Sequence, residues 1–131
     1  MRSIAMTVFA TCALAIAPLA AEAASITGSS YVAKDLMSPC QEADNDSRWG
    51  AAAEVECEQY IMGFVDAMAE VGALGPDAGI CLPETNVADE VRWAFMRWVH
   101  TSYTKNIAMP AADALLETLK ASFPCDSGTQ Q

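Results

Sequence analysis

Apolar residues return every three or four positions in several stretches of this chain, the spacing of an amphipathic helix. The longest such stretch covers residues 51–71, where Cys57, Tyr60, Ile61, Phe64, Met68 and Val71 share one stripe and Gln59, Asp66 and Glu70 face away. Gly63 interrupts it, at about 1 kcal/mol against alanine in a helix interior. With Ala67 one turn later, Gly63 predicts a small-residue seat for a neighbouring helix. A further helix starts at Asn86, a natural N-cap, places Asp89 and Glu90 in its first turn, where the helix dipole favours acids, and runs to about residue 102. The last begins with Pro110 at its first position, where a missing N–H costs nothing; it aligns Ala112, Leu115, Leu116, Leu119 and Phe123, and ends at Pro124. A short helix over about residues 32–37 precedes all of these, and Pro39 is expected to stop it just before Cys40. "QEADNDSRWG" (41–50) and "LGPDAG" (74–79) read as loops. No strand and no internal repeat is legible, so the expected fold is a small all-α domain of roughly four helices.

The first residues follow a different pattern. Arg2 is followed by an apolar run over residues 4–19 and then by the small residues of "AEA". That is the layout of a secretory signal peptide, residues 1–23, cleaved after Ala23. The run is short for a membrane span and holds Pro18. Cys12 leaves with the leader, because "FAT" before it makes a poor lipoprotein box. Residues 24–131 then form one helical domain, released from the membrane, small enough to bury only about two thirds of its unfolded surface.

Charge narrows the partners. With Arg2 and Glu22 set aside, the 7 basic and 17 acidic residues become 6 and 16, and the net charge stays at −10. That disfavours nucleic acid and anionic membrane surfaces and suits a basic protein partner.

Cysteine usage narrows the chemistry. Four thiols remain in the exported domain, Cys40, Cys57, Cys81 and Cys125, an even number that argues for two disulfides. Three pairings are possible, and counting does not choose among them. Antiparallel packing of consecutive helices would bring Cys40 beside Cys57 and Cys81 beside Cys125. Catalysis by Cys57 would need a base, and the sole histidine, His100, stands in another helix with no glycine-rich turn to form an oxyanion hole. Zinc would need clustered Cys and His, and the acidic loop at 42–50 lacks the glycine and glutamate of a calcium loop. No metal, cofactor or catalytic residue is expected. Most acids fall on outward helix faces, which leaves a hydrolytic carboxylate pair without support.

The helix after Asn86 is the informative oddity. Val87, Val91, Ala94, Phe95 and Trp98 make its core stripe, while Trp93, Met96, His100 and Tyr103 line nearly the opposite side, with Lys105 just beyond. A helix apolar on both sides is either central in its domain or docked against something else. Those five residues are the candidate partner-binding set, for a second copy of the chain or for another protein.

"DLMSPC" (35–40), "CEQYIMGFVDAM" (57–68), "CLPETNVADEV" (81–91) and "PAADALLETLKASFPC" (110–125) together resemble the Rap/Tai family, immunity proteins of type VI secretion amidase effectors. The four cysteines, Tyr60, Gly63, Asp66, Phe123 and Pro124 fall on the family's motif positions, whereas Glu90 stands where the family often has glutamine. "VRWAFMRWVHTSYTKNIAMP" (91–110) is heavier in aromatics than the family's phrase there. The resemblance implies an all-helical periplasmic protein, often dimeric, that inhibits a peptidoglycan amidase by occluding its active-site cleft. The alternative is a stand-alone periplasmic helical protein with a stress or chaperone-like role.

Overall fold

The computed structural model describes residues 28–45 and 48–125 of the 131-residue chain; the leader expected over residues 1–23, with Cys12, lies outside them. The described residues form five helices: α1 (Ala33–Asn45), α2 (Gly50–Glu70), α3 (Val87–Thr101), the single turn α4 (Tyr103–Asn106) and α5 (Ala111–Ser122). A 3₁₀ turn, Pro76–Ala78, interrupts the long connection from α2 to α3. Among the described residues there is no strand, only isolated bridges of Val32 to Pro110 and of Ile80 to Gly75 and Pro124. The domain is all-α, as the periodicity predicts, with α4 added between the helix expected to end near residue 102 and the one expected to begin at Pro110.

α1 corrects the expected stop at Pro39. The helix runs straight through it to Asn45, so Cys40 sits in mid-helix. An interior proline removes one backbone hydrogen bond and costs about 3 kcal/mol. Burial offsets that: Leu36, Met37, Pro39 and Cys40 are all buried, and α1 is sealed against α2 along its length. Cys40 pairs with Cys57 one residue beyond Pro39, their Cα atoms 5.0 Å apart.

The first turn of α1 is closed by the far end of the chain. Ala33 N–H donates to the Met109 carbonyl (2.8 Å) and Lys34 N–H to Ile107 (3.0 Å), while Ala111 N–H donates back to Tyr31 (3.0 Å). These groups are the ones a helix start leaves without partners. Asp35 adds its carboxylate, which accepts the Val32 N–H at 3.0 Å.

α2 buries a narrower stripe than its apolar pattern suggests. Ala53, Cys57, Ile61 and Val65 are buried; Tyr60, Phe64 and Met68 are half-buried, and Val71 is exposed. The seat expected at Gly63 and Ala67 is absent: both are exposed, and a Cβ on Gly63 would meet nothing within 4 Å. The close approach is at Gly50 instead, where a Cβ would lie 2.9 Å from the Ala43 carbonyl oxygen. Gly63→Ala is therefore expected to stabilise the domain by about 0.5–1 kcal/mol through helix propensity. Gly50→Ala is expected to destabilise it by about 1–3 kcal/mol, because backbone must shift. Thermal melts of the two variants, moving in opposite directions, check this.

α3 and α5 enclose the rest of the core, in which Phe95, Leu36, Ile61, Leu115 and Leu119 are fully buried. α5 starts one residue later than expected, with Pro110 as its cap, and buries Ala111, Ala114 and Thr118 where Ala112 is exposed. The buried Thr118 hydroxyl donates to the Ala114 carbonyl at 2.8 Å. Asn86 caps α3 through its backbone: at φ 54° it makes no side-chain cap bond, and its carbonyl accepts the Glu90 N–H at 3.0 Å. At the other end of the domain Cys81 joins Cys125, with Cα atoms 4.9 Å apart. Backbone bonds from Cys81 N–H to Phe123 O and from Cys125 N–H to Gly79 O flank that link.

Candidate partner-binding site

α3 presents two faces because its neighbours cover only one. Val91, Ala94, Phe95 and Val99 are at most 1% exposed, whereas Trp93 is 43% exposed and Arg97 and His100 stand in solvent. Trp98 is half-buried at the edge of the core stripe. Met96, expected on the outward face, is 9% exposed and belongs to the core cluster, because the continuation of α1 past Pro39 packs over that side.

That same continuation builds the site. A hollow of about 560 Å³ lies between the end of α1 and the outer side of α3, lined by Gln41, Asp44 and Asn45 from one helix and Trp93, Met96, Arg97 and His100 from the other. Met96 forms its floor. A second hollow, of about 380 Å³, shares Gln41 and Asn45 and reaches Tyr103 on α4. The rings of His100 and Tyr103 stack at 5.4 Å and 14°, so the two hollows form one trough with an aromatic wall. Tyr103 is 46% exposed. Of the five residues expected to bind a partner, the structure brings Trp93, Met96, His100 and Tyr103 together; Lys105 is exposed on α4 and lines neither hollow.

Arg92 is the residue the sequence pattern missed. Only 4% exposed, it donates from Nε and Nη2 to the Asp89 carboxylate (3.2 and 2.7 Å) and from Nη1 to Asp44 (3.2 Å). Its guanidinium also lies 5.1 Å from the centre of the Trp93 ring, a cation–π distance. Burial alone would lower its pKa, but the bond to Asp89 and the charge of Asp44 outweigh it and hold the pKa above the usual value. Arg92 thus ties the end of α1 to α3 and sets the wall of the trough. A buried arginine shows no helical signature, and Asp44 is 48 residues away; the Asp89–Arg92 spacing of three was the single local hint.

α4 is held by its own polar anchor. The Asn106 side-chain amide donates to the carbonyls of Trp98 (3.0 Å) and Val99 (3.4 Å), which α3 leaves open at its end. Tyr103 therefore stands on a fixed turn.

The cysteines take no part in such a surface. Cys57 is fully buried and bonded to Cys40, so it has no thiolate to offer. Among the described residues no group of three His, Cys, Asp or Glu side chains is placed to hold a metal, and no helix is long and apolar enough to cross a membrane.

Comparison with known proteins agrees with the arrangement of motifs. No curated protein and no solved structure matches the chain. A family model described as Rap1a immunity proteins matches residues 32–125, which take in all five helices and both disulfides. The chain belongs to the Rap1a immunity protein family.

Proposed function

We propose that this chain is an exported, periplasmic immunity protein. It binds a peptidoglycan amidase effector and covers the effector's active-site cleft, with no chemistry of its own. The family match over residues 32–125 carries this reading, since an immunity protein implies a protein effector as its partner. The trough at Trp93, Met96, His100 and Tyr103 supplies the contact surface, with Lys105 beyond its rim. Half-exposed tryptophan and tyrosine on rigid helical segments are the residue types that anchor protein interfaces. Residues 1–23 serve as the leader that sends the chain to the compartment where the amidase acts. A homodimer, as the family resemblance implies, is expected by sedimentation analysis of the mature chain.

The test uses the product of the neighbouring gene. Its release of peptides from purified peptidoglycan is measured with and without the mature chain. Stoichiometric inhibition is expected, and Trp93→Ala with Tyr103→Ala should weaken it at least about 30-fold, the effect of losing an interface anchor. Undiminished cleavage in the presence of excess chain would sink the reading. Protection of unrelated proteins from heat aggregation by the isolated chain would favour the stress role instead.

A further inference from the structure

Asp44 lines the hollow beside Trp93, yet its carboxylate already has a partner. It accepts from Arg92 Nη1 at 3.2 Å, a bond that spans 48 residues of chain and crosses from α1 to α3. Asp89 accepts from the other two nitrogens of the same guanidinium, at 3.2 and 2.7 Å, and does so from one turn away on α3. The guanidinium carbon lies 5.1 Å from the centre of the Trp93 ring. Arg92 is 4% exposed and stands behind the trough rather than in it.

The two carboxylates divide the work. Asp89 fastens Arg92 to its own helix with two bonds, so the guanidinium keeps its place without α1. Asp44 supplies the link between the helices. Gln41 and Asn45, its neighbours on α1, form one rim of the hollow, and Trp93 on α3 forms the other. The link therefore sets the width of the opening. A planar guanidinium can bond two carboxylates and lie against an indole at the same time, which a lysine ammonium cannot do.

We propose that Asp44 and Arg92 are positioning residues of the partner site. They hold Trp93 and the last turn of α1 at the spacing the partner meets, and Asp44 acts through Arg92 rather than by touching the partner. This deepens the immunity reading and rests on it for the affinity measurement alone. The side chain of Asp44 is 44% exposed, so it can be removed without opening the core. Removal leaves Arg92 Nη1 without its bond while Nε and Nη2 stay on Asp89. The expected result is a trough that loosens on its α1 side and an indole whose backing cation has shifted.

The experiment separates position from contact. Asp44→Ala is made in the mature chain, with Asp44→Glu as the rescue, Arg92→Lys as a second cut of the same link, and Glu117→Gln as the charge control on α5. Alanine is the better helix former, so any loosening of α1 in D44A comes from the lost link. Amide exchange over residues 41–45 should quicken about fivefold in D44A, the scale of one charged hydrogen bond. The Trp93 indole resonance should move with it, while D44E and E117Q stay near wild type. R92K should match D44A, and the two together should add little, because they cut one network. Inhibition of the neighbouring gene's product should weaken about fivefold in D44A, by the same loss, and return in D44E. Exchange and indole signal unchanged in D44A would overturn the proposal; with inhibition weakened all the same, Asp44 would be a contact residue instead. Equal loosening in E117Q would also overturn it, by tracing the effect to net charge. Exchange and indole signals are read without the effector. A wild-type chain that fails to inhibit therefore sinks the immunity reading, while those two signals still decide the positioning role.

Discussion

Removing Cys40 and Cys57 together, as alanines, is expected to cost roughly 5 kcal/mol, more than removing Cys81 and Cys125, although loop entropy alone predicts the opposite order. The two links close sequence separations of 17 and 44 residues. In the chain-entropy account those are worth roughly 3 and 4 kcal/mol, a difference of about 1. Burial reverses the ranking. Cys40 and Cys57 are fully buried, so two truncations there also leave a cavity beside Leu36 and Ile61. Cys81 and Cys125 are partly exposed, and their place is held by backbone bonds to Gly79 and Phe123 as well. For a domain of this size the larger loss lowers the melting midpoint by about 20–40 °C. Thermal melts of the two double variants give the order. Partial reduction followed by alkylation and mass analysis should label Cys81 and Cys125 first. If the 81–125 variant proves the less stable, loop length outweighs burial in this fold.

Phe95→Ala is expected to cost about 3–5 kcal/mol, the range for emptying a buried aromatic site. Phe95 is fully buried and the largest side chain in that class here. The control is two residues away on the same helix: Trp93→Ala, 43% exposed, should change stability by less than about 1 kcal/mol while weakening partner binding. Urea midpoints separate the two. Equal losses would mean that Trp93 is part of the core and that the outer side of α3 is no binding surface. A total stability of about 5–15 kcal/mol is usual for a domain, so loss of Phe95 alone can leave the chain marginal.

Where the sequence was legible, periodicity did the work. α2, α3 and α5 lie within a residue or two of the expected bounds, since each carries an apolar stripe long enough to define a face. The outward set was legible for the same reason: Trp93 and His100 lie on α3 opposite Val91, Phe95 and Val99, and Tyr103 follows on α4. Local rules failed where tertiary packing opposed them. Pro39 should end a helix in isolation, but α2 lies against that turn. Met96 looked like a surface anchor because the residues that cover it, 41–45, were expected to be a loop. Gly63 looked like a packing device, and no neighbour approaches it. Arg92 carried no visible role because its partner Asp44 comes from a distant part of the chain.

The bonds from Ala33 and Lys34 to the carbonyls of Met109 and Ile107 bear on the order in which the molecule is made. A ribosome delivers residue 33 long before residue 107, so the opening turn waits for its acceptors until nearly the whole polypeptide has emerged. Until then two donors of that turn stay on water, while the rest of α1 can already close on α2.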